Sequence, residues 1–399
     1  MKINSVKKIK SLKNKTVFLR VDFNVPMDGK KILSQDRIIE GLETINFLNH
    51  QKAKIVIAAH LGEPTAGPDK NYSLRPIAAR LQKLLKKPVI FLPDCLGEKV
   101  LLQINKLKPG EIIMLENLRF HQEEYDNDSK FAKSLADLAD IYVNEAFSVS
   151  HRNQASMSAI KKYLPAYAGI HLEQELLAFN KVLKPVKPSV VIMGGSKLST
   201  KIPLILKLYK KVDYILIGGA LANNFFKIQN LEIGQSVIEK INDPFAKKDL
   251  DKTIRTLFKG QNLLPKILLP IDVVVKTKNG QARLCRLDQV KKQESILDIG
   301  PETINKYASI IKLARTLVWN GPMGKFEEKS FKHGTIAIAT LIAARSSGRA
   351  YGVVGGGETI EALKLTKMTE YVDWISTAGG AMLAYLGGGK MPGLSKIIS

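Results

Sequence analysis

Five stretches in the first half of the chain carry arginine, histidine or carboxylate side chains at strand-like ends. They are VDFNVP (Val21–Pro26), Arg37, His60-Leu61-Gly62-Glu63, Leu118–His121 with Arg119, and His151-Arg152. Guanidinium groups are planar forks that pair with phosphate and carboxylate oxygens two at a time, so the set suits a small, multiply anionic organic molecule. Any one of these arginines could equally be a surface or ion-paired residue; three at corresponding strand ends make the case. Asp22 and Asn24 flank Phe23 and could meet substrate hydroxyl and carboxylate groups.

The second half is rich in glycine instead: Gly194–Lys197 (GGSK), Gly218-Gly219, Asn320–Gly324 (NGPMG), Gly355–Thr359 (GGGET) and Ala378–Ala381. A glycine turn that opens a helix lets an anion approach free backbone N–H groups at the positive end of the helix dipole. One such stretch is as readily a tight turn with no ligand; several, each after an apolar run, favour a nucleotide's phosphate chain. Neither standard fingerprint is present. No G-x-x-x-x-G-K-[ST] occurs, and G-x-G-x-x-G from Gly355 fails at Ile360, which argues against a dinucleotide-dependent dehydrogenase. Lys197 can reach a phosphate oxygen as a point charge, and Lys201 lies one turn further on the same face. Lys201 alone reads as well as a solvated helix lysine.

These residues need rigid supports. The β-branched, apolar runs at 16–22, 54–59, 89–92, 111–115 and 140–143 read as strands, and 34–48, 74–85 and 129–139 as helices. Residues 34–48 place Ile38, Ile39, Leu42, Ile45 and Leu48 on one face, with Ser34 or Asp36 as cap. Runs at 189–193, 213–217, 266–269, 272–275, 316–319, 350–354 and 373–376 form a second such set, read as one sheet. Alternation of this kind predicts an α/β fold: two doubly wound parallel-sheet lobes joined by a hinge helix, with ligands beyond the carboxyl ends of the strands. The divide falls at 165–184, where Leu172, Leu176, Leu177 and Leu183 recur at helical spacing over about 20 Å. The expected domains are residues 1–165, a hinge helix at 166–184, residues 185–385, and a tail at 386–399 that docks at a site the sequence does not specify.

Composition sets outer limits. The 399 residues are 45% apolar and 25% charged, enough for two cores. The basic start lacks an apolar segment of the secretory kind, and no apolar run could span a bilayer. Two distant cysteines argue against a disulfide framework or structural metal site and for a reducing cytoplasm. A net charge of +24 raises the alternative of nucleic-acid binding, but the excess is lysine scattered along the chain with no basic tail. Enrichment in lysine is the preferred reading, and nucleic acid is not expected as a partner.

Taken together, VDFNVP, HLG, ENLRFH, HR-x-x-AS, MGGSK, GGALA, LDIGPET, WNGPMGKFE, VVGGGET and KMPGL resemble the phosphoglycerate kinase family, in its order and over nearly the whole chain. The resemblance implies a Mg²⁺-dependent transfer between ATP and 3-phosphoglycerate, giving ADP and 1,3-bisphosphoglycerate, in a monomeric cytoplasmic enzyme of glycolysis. It implies that Asp22, Asn24, Arg37, His60, Leu61, Gly62, Glu63, Arg119 and Arg152 hold the phosphoglycerate. Lys197, Lys201, Gly300, Asn320, Glu327, Gly355, Gly356, Gly357, Glu358 and Thr359 would hold the nucleotide, with Glu327 on the ribose and Glu358 on the metal. Arg37, Lys197, Gly357 and Gly380 would act at the transferring group, which needs alignment and charge neutralisation but no general base. Closure about the hinge helix would then exclude water. Four positions depart from the family pattern: Glu63 replaces an arginine, Gln154 a histidine, Glu358 an aspartate and Ala378 a glycine. The first implies altered affinity for 3-phosphoglycerate and the third altered metal placement.

Overall fold

The computed structural model describes residues 1–64, 67–259 and 262–399, and divides into two compact units. Met1–Leu177 with Lys390–Ser399 form the first, and Ala178–Gly389 the second. The chain therefore passes between them twice, once within a helix and once at 389–390.

The first unit is built on six parallel strands: β1 (Thr16–Arg20), β2 (Lys54–Ala58), β3 (Ile90–Phe91), β4 (Ile112–Met114), β5 (Ile141–Asn144) and β6 (Ala166–Ala168), in the order β3-β4-β2-β1-β5-β6. Val17, Phe18, Leu19 and Arg20 are all buried, as a central strand covered on both faces requires. Helices α1 (Asp36–His50), α2 (Arg75–Leu85), α3 (Glu98–Asn105) and α4 (Ser129–Ala136) accompany the sheet. On α1 the buried stripe is Ile38, Gly41, Ile45 and Leu48. Ile39, expected on that face, is 45% exposed, because it lies about 100° round the helix from Ile38. Gln35 occupies the cap position with no side-chain cap bond, in place of the expected Ser34 or Asp36.

Helix α5 (Ile170–Leu183) opens later than the expected hinge segment, since 166–168 are strand β6. Its start is fixed from far away. Buried Glu145 accepts hydrogen bonds from the His171 and Leu172 amides, each at 3.0 Å, and from the Thr44 hydroxyl. Leu172 and Leu176 are buried, but Leu177 is half exposed and Phe179 and Val182 take its expected place in the stripe. The carboxyl-terminal tail belongs to the first unit. Lys2 and Ser399 exchange backbone bonds at 2.8 and 3.0 Å, and Asn144 Nδ2 donates to the Gly393 carbonyl at 3.0 Å. Leu394 and Ile397 are buried.

The second unit repeats the design with β7 (Ser189–Met193), β8 (Tyr214–Ile217), β9 (Ile267–Leu268), then β13 (Thr316–Asn320), β14 (Tyr351–Gly355) and β15 (Trp374–Ser376), parallel in the order β9-β8-β7-β13-β14-β15. Its helices include α6 (Leu198–Tyr209), α7 (Gly219–Ile228), α8 (Pro301–Ile311), α9 (His333–Ser346), α10 (Gly357–Leu365) and α11 (Gly380–Leu386). One strand expected in this sheet is elsewhere. Asp272–Lys276 (β10) pairs antiparallel with β11 (Ala282–Arg286) and β12 (Ser295–Ile299) in a separate three-stranded sheet. An apolar, β-branched run identifies a strand but not the partner it pairs with. Among the described residues, no helix is long and apolar enough to cross a membrane, and Cys95 and Cys285 are both free and buried.

Candidate active site

In the first unit the site assembles where β1, β2 and β4 end. Asp22 follows β1, and its Oδ2 accepts from Arg37 Nη1 at 2.7 Å and from the Ser148 hydroxyl. Arg37 Nη1 also donates to the Asn24 carbonyl at 3.2 Å, so the second residue of α1 is tied to the end of β1. Asn24 Oδ1 accepts from the Gly62 amide at 2.9 Å, joining the turns after β1 and β2. Gly62 has φ +61°, and a Cβ there would lie 2.2 Å from the Tyr72 ring, so only glycine makes this turn.

Asn117, inside the ENLRFH motif, is the hub of the next loop. Its side chain accepts from the Leu61 and Arg119 amides at 3.2 and 3.0 Å and donates to the Leu61 and Tyr72 carbonyls at 2.8 and 3.0 Å. Arg119 is thereby fixed in a buried position, its side chain 1% exposed, with Nη1 donating to the Gly62 carbonyl at 2.6 Å. Among the described residues its Nε and Nη2 have no hydrogen-bond partner. A buried guanidinium with two orphaned donors is costly unless a ligand fills them. Glu63 Oε1 lies 2.8 Å from Arg119 Nη1 and 3.1 Å from Arg152 Nη1, so three expected substrate-binding residues meet at one oxygen.

His60 is buried behind these groups. Burial, then the charges of Arg20, Arg119, Arg152 and Arg37, hold its pKa well below the usual histidine value. Arg20 Nη2 lies 3.2 Å from His60 Nδ1; a guanidinium only donates, so Nδ1 accepts and the ring proton sits on Nε2. Arg20, fully buried in β1, also donates from Nε to Ser156 Oγ at 2.9 Å, and Ser156 donates in turn to buried Glu124 at 2.6 Å. Arg20, Glu124 and Ser148 lie outside the residues the sequence singles out, and Asn117 stands in the ENLRFH motif with no role assigned to it. They hold the site through long-range bonds, and the available hints are the position of Arg20 at a strand end and of Asn117 inside a motif.

In the second unit the glycine stretches lie at strand ends as expected. Lys197 is exposed at the cap position of α6. Lys201, one turn on, is buried, and its Nζ donates to the carbonyl and side-chain oxygens of Asn320 at 3.0 and 2.8 Å. The solvated-lysine reading of Lys201 is thus excluded. Burial lowers its pKa to about 8, with the charge of Glu358 opposing that shift. Asn320 Nδ2 donates to the Gly355 carbonyl at 2.7 Å, and the Gly321 amide to Thr359 Oγ1 at 2.7 Å. These bonds lock the turns after β13 and β14 together, with Lys201 against the first. Close packing requires glycine at Gly194, where a Cβ would lie 1.9 Å from the Pro322 carbonyl oxygen.

Gly356 (φ +99°) caps α10 with no side-chain cap bond, and α11 likewise starts after Gly379 without one. A Cβ at Gly357 or Gly380 would meet nothing within 4 Å, so both helix starts are open. Glu358 is exposed in the first turn of α10, and Glu327 is exposed in the turn after β13. Gly300 differs from the rest. It caps α8, but the Asp272 carboxylate accepts from the Glu302 and Thr303 amides at 3.0 and 2.7 Å, so that helix start is already supplied with an anion. Among the described residues no three His, Cys, Asp or Glu side chains cluster as a metal cage.

An arginine-lined pocket in one α/β unit and a glycine-and-lysine site in another leave the chemistry open, and comparison with known proteins narrows it. The phosphoglycerate kinase family model matches residues 6–389. The chain belongs to the phosphoglycerate kinase family. The phosphoglycerate kinase of Wolbachia pipientis subsp. Culex pipiens is 42% identical over 386 residues, 96% of each chain, and that of Pelotomaculum thermopropionicum 40% identical over 391 residues, 97% of each. Among solved structures, the phosphoglycerate kinase of Coxiella burnetii is similar with a TM-score of 0.84 at 38% identity, covering 99% of both chains. The Pyrococcus horikoshii phosphoglycerate kinase gives 0.82 at 31% identity, covering 99% of this chain and 98% of that one.

Proposed function

We propose that the protein catalyses reversible phosphoryl transfer between 1,3-bisphosphoglycerate and ADP, giving 3-phosphoglycerate and ATP, as the glycolytic step of its family. The observation that carries this reading is the pairing of two unlike anion sites in one chain of that family. One is a buried arginine with two unpartnered donors; the other is a lysine-backed set of glycine turns at open helix starts.

In the reading we favour, the phosphate of 3-phosphoglycerate takes Arg119 and Arg152, while Asp22, Asn24, His60 and the Leu61-Gly62 turn hold its remaining polar groups. Neutral His60 adds a donor without adding charge. Lys201, Asn320, Thr359 and the Gly355–Gly357 turn hold the nucleotide's phosphates, and Glu327 its ribose. Gly300, already engaged through its helix with Asp272, is at most an indirect contributor. In the direction of ATP use, the carboxylate oxygen of 3-phosphoglycerate forms a bond to the γ-phosphorus, and the bond to the bridging oxygen of ADP breaks with its electron pair leaving on ADP. No proton changes place, so the protein needs charge and alignment only. Arg37, Lys197 and the amides of Gly357 and Gly380 would supply these to the equatorial oxygens.

Mg²⁺ fits this site as a companion of the nucleotide. The ion is held by one or two carboxylates together with phosphate oxygens and water, and the exposed carboxylate of Glu358 beside the phosphate loop meets that need. When bound, the metal would neutralise charge on the nucleotide's phosphates. Both substrates must react in one water-free complex, so saturating them together should lower the radius of gyration in X-ray scattering. A monomer acting in the cytoplasm accords with this assignment.

A coupled assay for 1,3-bisphosphoglycerate formed from 3-phosphoglycerate and Mg-ATP tests the function. Turnover dependent on all three components is expected. Its absence in a protein that still binds nucleotide would overturn the assignment.

A further inference from the structure

The pocket around Arg119 already contains an anion, and it is one of the protein's own. Glu63 Oε1 touches both Arg119 Nη1 and Arg152 Nη1, while the Tyr125 hydroxyl donates to Oε2 at 3.4 Å. The Arg119 guanidinium also lies over the Tyr125 ring, 5.4 Å from its centre. The two sides of the contact are unequal. Arg119 is held by Asn117 and the Gly62 carbonyl and is 1% exposed, whereas the Glu63 side chain is 62% exposed. A fixed, buried cation therefore faces a carboxylate that can leave for solvent at small cost.

The carboxylate also satisfies the pocket poorly. One of its oxygens serves two guanidinium groups, and Arg119 Nε and Nη2 have no partner among the described residues. A phosphate group carries three free oxygens and about two charges, enough to take the Nη1 contacts and the orphaned donors together.

We propose that Glu63 is an internal rival of the substrate's phosphate group: its carboxylate occupies Arg119 and Arg152 in the free protein and must be displaced before phosphate binds. This rests on the assignment of that pocket to phosphoglycerate. Glu63 then sets the affinity of the pocket, and it discriminates against small anions that lack further contacts with which to drive the exchange. The opposite role is equally specific: a carboxylate that holds the two arginines in place for the substrate would raise affinity.

Calorimetric binding of inorganic phosphate to the full chain separates the two roles. Glu63→Gln keeps the size of the side chain and removes its charge; it should tighten phosphate about tenfold and lower KM for 3-phosphoglycerate by a similar factor. Tyr125→Phe frees the second oxygen of Glu63 and should move both quantities the same way by a smaller factor. Unchanged or weaker phosphate binding in Glu63→Gln, or an opposite shift in Tyr125→Phe, overturns the proposal. If the unaltered protein binds phosphate but does not turn over 3-phosphoglycerate, the functional assignment fails, while the phosphate measurement still decides the role of Glu63.

Discussion

The anion sites proposed in the two units are built by different means. The first uses side chains: Arg37 is bound to Asp22, and Arg119 and Arg152 meet at Glu63. The second uses main chain and lysine: open helix starts after Gly356 and Gly379, and Lys201 fixed by Asn320 at the end of β13. Guanidinium forks select the shape of a small acid, so the first site can discriminate. Backbone amides do not depend on side-chain identity, so in the second Ala378 leaves the proposed donors in place, while Glu358 keeps the carboxylate assigned to the metal. Against the family pattern that the sequence resembles, the change of charge falls in the first site, at Glu63.

This contrast can be broken by substitution. Arg37→Ala and Lys197→Ala should each lower kcat on the order of 10²–10³-fold, because both are assigned to charge on the transferring group. Steady-state kinetics should show KM for nucleotide nearly unmoved in Lys197→Ala. Equal losses in kcat and nucleotide affinity would reduce Lys197 to a binding residue.

Next in size is the first unit's fork. Arg119→Lys keeps the charge but removes the planar donors, and should raise KM for 3-phosphoglycerate about tenfold or more while KM for nucleotide holds. A shift in both would mean the sites are not divided as assigned.

A smaller effect, on pH, belongs to the second unit. Burial lowers the Lys201 pKa to about 8, so the group is charged below that value and loses its charge as pH rises through it. kcat/KM for Mg-ATP should therefore fall several-fold from pH 7.5 to 9, and Lys201→Arg should flatten the profile. The stability term has its own sign. A lysine whose pKa is depressed on folding contributes stability above its unfolded value of 10.5, and loses it as pH falls through about 8. Smallest is Gly356→Ala. The left-handed φ of +99° and a Cβ 3.0 Å from Asn320 Nδ2 should cost about 1–2 kcal/mol in chemical denaturation, with a few-fold rise in nucleotide KM.

The same division governs how far the sequence could be read. Strand ends were visible because apolar runs such as Ser189–Met193 stop at glycine or at charged motifs, and both parallel sheets follow from that pattern. Side chains whose type suits an anion, such as Arg119 and Lys201, are visible as candidates too, and the structure buries both. Hidden were the residues that act across the fold. Glu145 supports a helix that begins 25 positions later, and Asp272 supplies an anion to α8 from a strand assigned to the wrong sheet. No periodicity encodes such pairs, since they depend on which loops become neighbours. Adjacent apolar residues were ambiguous for a related reason: Ile39 and Leu177 each sit beside a buried residue and yet face outward.

Hydrogen–deuterium exchange with each ligand added singly addresses the division of labour most directly. 3-Phosphoglycerate should protect peptides covering 22–37, 60–63 and 117–125, and Mg-ADP those covering 194–201, 320–324 and 355–359, with little overlap. Protection of the glycine turns by 3-phosphoglycerate, with the arginine peptides unaffected, would contradict the account.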